Sequence, residues 1–141
     1  MNNWFVWALL SALFAALTAI LAKVGVTDIN PNLATAIRTT VILVITWALA
    51  LATSGKADWT ALTSRAWFYL AASGLMTGLS WLCYFRALKL GDVAKVAPVD
   101  KLSVALAIIL AVIFLGERLK TQEAVGAALI VLGVVVMALT F

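Results

Sequence analysis

Five runs of about twenty mostly apolar residues, each closed by a short polar link, leave this chain little choice of solvent. They cover roughly residues 4–25, 33–53, 66–89, 93–115 and 122–140. At ~1.5 Å per residue, a helix over any one of them spans the ~30 Å hydrocarbon layer of a bilayer. The links carry turn chemistry. Asp28, Asn30 and Pro31 break the first run from the second, and Ser54, Gly55, Lys56, Ala57 and Asp58 lead through Thr63–Ser64–Arg65 to the third. Gly91 suits a helix end and Asp92 a helix start, so the fourth follows almost at once. Gly116, Glu117 and Arg118 close the fourth, and Thr121 caps the fifth, with Glu123 favourably placed in its first turn. The expectation is an all-α integral membrane protein, with residues 1–141 forming a single five-helix domain.

Composition supports that reading. Apolar residues make up 65% of the chain and charged ones 11%, more apolar surface than a soluble fold of 141 residues could bury. Membrane lipids are therefore its first partners. Trp4, Trp7, Trp59, Trp67, Phe68 and Tyr69 fall near span ends, as an interfacial aromatic belt requires. The amino terminus MNNW has no basic leader, and the first apolar run is too long for a signal-peptide core. The expected location is the cytoplasmic (inner) membrane, as a multi-pass protein.

Several function classes lose their usual reagents. The single Cys83 rules out an internal disulfide and a cysteine metal cage, and the absence of histidine removes the commonest general base and metal ligand. No serine sits in a nucleophile elbow, and no glycine-rich loop could cradle phosphate. The reading is of no enzyme, no cofactor and no metal. The net charge of +4 is scattered over short loops and forms no patch able to track a phosphate backbone, so no nucleic-acid partner is expected.

An odd number of spans puts the termini on opposite sides. Lys56, Arg65, Arg118 and Lys120 then share one side, and Lys23, Arg86, Lys89 and Lys95 the other. Four against four gives the positive-inside rule no preference. A chain without that bias is suited to inserting both ways. The same Lys23, Arg86, Lys89 and Lys95 also read as interface anchors with snorkelling side chains.

Helical spacing sorts the polar residues into stripes. Ser73, Thr77, Ser80 and Tyr84 share a side of the third span, with Trp81 beside them and Gly74 and Gly78 on a neighbouring face. Thr35, Thr39 and Thr46 align on the second span, flanked by Arg38, and Trp4, Trp7, Ser11 and Thr18 run along the first. Asp100 and Lys101 stand side by side within the fourth. Ionisable residues at that depth cost a few kcal/mol and usually face a bundle interior or a wet cavity. The competing reading is structural: hydroxyls satisfied by their own preceding turn, and an ion pair of Asp100 with Lys101 or Arg38. Pro98 removes one helix hydrogen bond just before Asp100 and supplies a hinge. The fifth span carries Gly126, Leu129, Ile130, Gly133 and Met137 near one seam and no charge after Glu123, which reads as the dimer contact, with packing inside the bundle as the competing reading.

The segment with YFRAL (84–88), Pro98, FLGERL (114–119), Gln122, Gly126 and Gly133 resembles one EamA-type repeat of the drug/metabolite transporter superfamily. Lys23 and Arg38 match basic positions of the same pattern, so the resemblance covers nearly the whole chain. Most members carry two such repeats, related by inverted topology. The resemblance therefore implies a five-helix half-transporter that pairs with an inverted copy, as an antiparallel homodimer. The glycine spacing of the fifth span is also similar to the dimerisation helix of small multidrug resistance pumps. Those pumps place an essential acid in helix one, where this chain has Phe14 and Ala15 at the midpoint and no acid. The Asp100–Lys101 pair departs from the mostly apolar fourth helix of the EamA pattern.

These readings combine into a secondary transporter half working by alternating access around a midplane site. Trp7, Ser11, Trp81 and Tyr84 would line the cavity. Arg38 and Lys101 would attract an anionic group, and Asp100 would bind an amine or take up a proton. The small-molecule substrate expected is a small polar or zwitterionic metabolite, or a drug. The alternative is a non-transporting or lipid-metabolite-handling subunit that pairs with a different chain.

Overall fold

The helix ends are set by local capping, and several of them lie one or two residues beyond the apolar runs. The structure, a computed structural model, describes residues 4–138, and the expected helical residues 139–140 lie outside that range. Helix α1 covers Trp4–Val26 and α2 covers Pro31–Thr53. Helix α2 starts at Pro31 because the fixed φ of proline suits the first helical position, where no N–H is needed. Asn30 caps it, its side chain accepting the Asn32 N–H at 2.8 Å. A short helix α3, Lys56–Thr60, follows, and the Asp58 carboxylate accepts the Gly55 N–H at 2.7 Å. Helix α4 runs Ser64–Leu90, with the Thr63 hydroxyl accepting from Ala66 N–H at 3.2 Å.

The fourth apolar run is not one regular helix. It divides into α5 (Val93–Asp100), α6 (Leu102–Leu110) and a π-helical turn over Ala111–Leu115. Lys101 lies between α5 and α6, its N–H bonding Pro98 O at 3.0 Å and its carbonyl accepting from Val104 N–H at 3.0 Å. Both are three-residue bonds, the tighter pattern that often marks a hinge. Pro98 explains the break, since it cannot return an N–H to the turn before it. The π turn ends at Gly116, whose φ of 67° needs a residue without a Cβ, and Glu117 N–H closes back onto Ala111 O at 3.3 Å. Helix α7 covers Thr121–Ala138, so Thr121 is its first helical residue rather than its cap. Lys120 holds the cap position, its N–H donating to the Glu123 carboxylate at 2.9 Å.

No strand occurs among the described residues, and four apolar stretches are long enough to cross a bilayer: Trp4–Val26, Pro31–Thr53, Ser64–Leu90 and Val93–Leu115. The apolar Thr121–Met137 is shorter. At ~1.5 Å per residue α7 still measures about 27 Å, close to the hydrocarbon thickness. The chain is thus an all-α, multi-pass membrane protein with most of its apolar surface turned outward.

The chain forms two compact units, Met1–Leu90 and Gly91–Phe141. In the first, α4 packs on both α1 and α2, and α1 packs on α2. Its buried residues are concentrated at one end: Ala19, Ala22 and Val26 on α1, Ala34 and Thr35 on α2, Phe85 and Leu88 on α4. The alanines let the helix backbones approach, which is how helices associate where lipid is as apolar as leucine. Toward the other end the side chains are largely exposed, Trp4 and Trp7 at 72% and 73% among them.

Two lysines tie that packed end together. The Lys23 ammonium, in the last turn of α1, donates to Leu88 O at 2.7 Å. The Lys89 ammonium, in the last turn of α4, donates to Ile29 O in the α1–α2 link at 2.7 Å. The final carbonyls of a helix have no partner within it, so a cation there satisfies an orphan acceptor and complements the helix dipole. These two lysines cap carbonyls rather than merely snorkelling to water. In the second unit α7 packs on α5 and α6, with Ala105 and Val134 buried between elements.

Candidate functional site

Arg38 is the residue around which the first unit builds a site. Helix α2 carries it one turn beyond the buried Ala34 and Thr35, within the membrane-spanning stretch and half-buried. Its guanidinium lies 4.3 Å from the centroid of the Trp81 ring and 5.5 Å from that of Phe85. Trp81 and Phe85 stand four apart on α4, so one helix face presents both rings. The negative faces of aromatic rings attract a cation, most strongly where water is scarce. Tyr84 is half-buried on the same helix and lies within electrostatic reach of Arg38. No carboxylate of this unit pairs with the guanidinium among the described residues.

A cavity of about 340 Å³ opens beside it between α1, α2 and α4. Thr18, Ala22 and Gly25 form one wall, Ile37 and Arg38 another, and Phe85 a third. The volume lies at the lower end of the range of small-molecule pockets, and the lining is mostly apolar with one charge, a usual combination for a ligand site. A second hollow of about 280 Å³ sits among Trp47, Trp59, Leu62 and Trp67. Trp47 and Trp59 stack there at 6.0 Å and 11°, and no charged residue lines the hollow among the described residues. That arrangement fits the aromatic belt at a membrane surface.

Four of the nine hydroxyls in these stripes are locally satisfied. Thr35 bonds Pro31 O at 2.9 Å, Thr39 bonds Thr35 O at 2.8 Å, Thr46 bonds Ile42 O at 2.8 Å and Thr77 bonds Ser73 O at 2.9 Å. These hydroxyls are returned to the preceding turn, the structural reading of such residues. Ser11, Thr18, Ser73 and Ser80 show no such bond among the described residues, and of these Thr18 lines the cavity.

The other expected site residues are distributed more widely. Arg38, Trp81 and Tyr84 come together in the first unit. Trp7 and Ser11 lie on the exposed amino-terminal half of α1 and do not line this cavity. Asp100 and Lys101 belong to the second unit, where they form an ion pair at 3.4 Å with side chains 37% and 56% exposed. Neighbouring exposed charges of this kind contribute little to stability. Pro98 sits inside α5, directly before the break at Lys101. On α7, Leu129, Ile130 and Met137 are exposed at 63%, 39% and 44%, and a Cβ added at Gly126 or Gly133 would meet nothing within 4 Å. The same is true of Gly74 and Gly78 on α4, so neither glycine pair makes a close helix contact within the chain.

Sequence reasoning did not single out Phe85, the buried ring that completes the aromatic seat of Arg38. Its spacing of four from Trp81 was the available signal. Among the described residues, no group of histidine, cysteine or carboxylate side chains could hold a metal ion.

Comparison with known proteins is consistent with this architecture. The EamA-like transporter family model matches residues 2–139. An uncharacterized transporter in the cobO 3' region of Sinorhizobium sp is 53% identical over 137 residues, which cover 97% of this chain and 97% of the relative. The uncharacterized transporter YxxF of Bacillus subtilis (strain 168) is 29% identical over 141 residues, covering 99% of this chain but 43% of that protein. No solved structure matches the chain. With its apolar helices and a family match over nearly its full length, the chain belongs to the EamA-like transporter family and is a multi-pass membrane transporter.

Proposed function

We propose that this chain is one half of a secondary transporter, acting as an antiparallel, inverted homodimer that moves a small polar or zwitterionic metabolite by alternating access. Its two units act as one five-helix domain. The observation that carries the reading is Arg38: a guanidinium inside a membrane span, seated on Trp81 and Phe85, beside a cavity of about 340 Å³ and without a carboxylate partner among the described residues of its unit. An intramembrane charge is costly to place, and a role in binding a solute accounts for it.

The length relationships support the half-transporter reading. The relative from Sinorhizobium is matched over 97% of its length, whereas the Bacillus protein is matched over 43% of its own, as expected if the longer chain carries a second repeat. Exposed Leu129 and Ile130 and the open surface at Gly126 and Gly133 supply the dimer seam on α7.

In this mechanism Arg38 in the first unit and, separately, Lys101 in the second attract an anionic group of the solute, while Trp7, Ser11, Trp81 and Tyr84 line its path along the first unit. Asp100 accepts the ammonium or takes up the coupling proton. The weak hydrogen bonding around Pro98 and Lys101 lets α5 and α6 reorient as access alternates. The protein lies in the cytoplasmic membrane, and transport rather than catalysis is its activity.

The test is solute flux into proteoliposomes loaded with a pH-sensitive dye, screened with amino acids and organic acids. Asp100→Asn is expected to abolish proton-coupled uptake while leaving the dimer intact by light scattering. Unchanged coupled uptake removes Asp100 from the mechanism. No flux from the purified chain, together with a co-purifying second membrane protein, favours the alternative subunit role.

A further inference from the structure

We propose that the Arg38 cavity is a receptor for monocarboxylates with an apolar body, and that it discriminates against the corresponding zwitterions and cations. This rests on the transport reading and narrows its substrate class: of the small polar and zwitterionic solutes considered there it keeps the anions, and it sets aside the zwitterions together with an ammonium site at Asp100.

The argument starts from what the guanidinium has left to offer. The Trp81 and Phe85 ring centroids lie 4.3 Å and 5.5 Å from its central carbon. Cation–π contact does not consume its N–H donors, and these engage no acceptor among the described residues, so the planar fork keeps hydrogen bonds to give a ligand. A carboxylate matches that edge with two parallel charge-assisted bonds, which are short and about twice as strong as neutral ones. Thr18, across the cavity on α1, contributes a hydroxyl that is not returned to its own helix. It is placed to donate to the ligand or to orient a water there.

The rest of the cavity decides the class. Leu21, Ala22, Ile37 and Phe85 present apolar surface suited to an alkyl or aryl body. Among the described residues, no carboxylate lines the cavity. The ammonium of a zwitterion would lose its hydration without gaining a counter-charge, and the aromatic faces that could receive it are already held by Arg38. A cation would meet the guanidinium itself. The ligand that fits carries one negative charge, an apolar body and no ammonium. Trp81 and Phe85 are then positioning residues: they hold the guanidinium plane and act on the ligand through it.

Three compounds sharing one phenylethyl body test this: 3-phenylpropionate, phenylalanine and phenethylamine. Each is titrated against the purified full-length protein by calorimetry, with flux of the same compounds measured in proteoliposomes. 3-Phenylpropionate is expected to bind about ten-fold or more tightly than phenylalanine, with phenethylamine weakest. Arg38→Lys keeps the charge but loses the planar fork and stacking, and is expected to weaken the anion about ten-fold. Trp81→Phe keeps a ring and retains most of the affinity, whereas Trp81→Leu does not; Thr18→Val weakens binding several-fold.

Equal or tighter binding of phenylalanine, unchanged affinity in Arg38→Lys, or binding of none of the three overturns the proposal. Arg38-dependent flux of phenylalanine in preference to 3-phenylpropionate overturns the assigned class and leaves transport standing. Anion binding without flux sustains the receptor and removes transport by this chain alone.

Discussion

Replacing Lys23 with methionine should loosen the packed end of the first unit more than any other single charge removal there. The methionine retains the apolar stem of the side chain, so the change isolates the ammonium. That ammonium donates at 2.7 Å to the carbonyl of Leu88, a residue with no exposed surface, three places from the end of α4. The carbonyl has no partner within its helix, so the variant leaves it unsatisfied in an apolar setting. A hydrogen bond from a charged donor contributes about 1.5–3 kcal/mol in soluble proteins. Bonds between membrane helices average about 0.6 kcal/mol and reach about 1.7. The charged donor and the dipole of α4 place this one near the top of the membrane range, about 1.5 kcal/mol, or roughly ten-fold in the folding equilibrium. Lys89→Met is the control. Its 2.7 Å bond to Ile29 O is exposed, where water replaces the lost donor, and the expected cost is about 0.5 kcal/mol. Unfolding by sodium dodecyl sulfate in mixed micelles, followed by far-ultraviolet circular dichroism, gives both numbers. A Lys23→Met cost below about 0.5 kcal/mol, or a larger cost for Lys89→Met, would refute the capping argument.

Two further outcomes follow from backbone geometry and open surface. Gly116→Ala forces a Cβ into the left-handed region at φ 67°, and should cost about 1 kcal/mol in the same unfolding assay; an unchanged midpoint would contradict that strain. At Gly133 an added Cβ meets nothing within 4 Å, so Gly133→Leu should retain helicity while the dimer is lost by size-exclusion light scattering. A dimer that survives this change takes α7 out of the interface.

The spans were legible because the bilayer imposes a length and a polarity that composition cannot disguise. Their ends were read less well, for identifiable reasons. Pro31 looks like a breaker but opens α2, since the first helical residue needs no N–H. The fourth run reads as one apolar helix, yet Pro98 and the π turn at Ala111–Leu115 divide it. Side-chain roles that depend on distant partners were the least visible. Lys23 and Leu88 are separated by 65 residues, and nothing in the local sequence joins them. Thr35, Thr39 and Thr46 form a stripe on a helical wheel, but a wheel does not show that each hydroxyl is spent one turn back. Arg38 and Trp81 could each be singled out as polar or aromatic residues in a span. Their stacking, and the part Phe85 plays in it, required the packing of α2 against α4.

Sidedness is the most direct test of an inverted homodimer. Single cysteines replace Asp28 and, in a separate protein, Ala61, both in a Cys83→Ser background; these positions flank opposite ends of α2. Intact cells are labelled with a membrane-impermeant thiol reagent, with and without permeabilisation. The inverted homodimer predicts that about half of each protein labels from outside, because both orientations coexist. Full labelling at one position and none at the other would show a single orientation and contradict self-pairing by inversion.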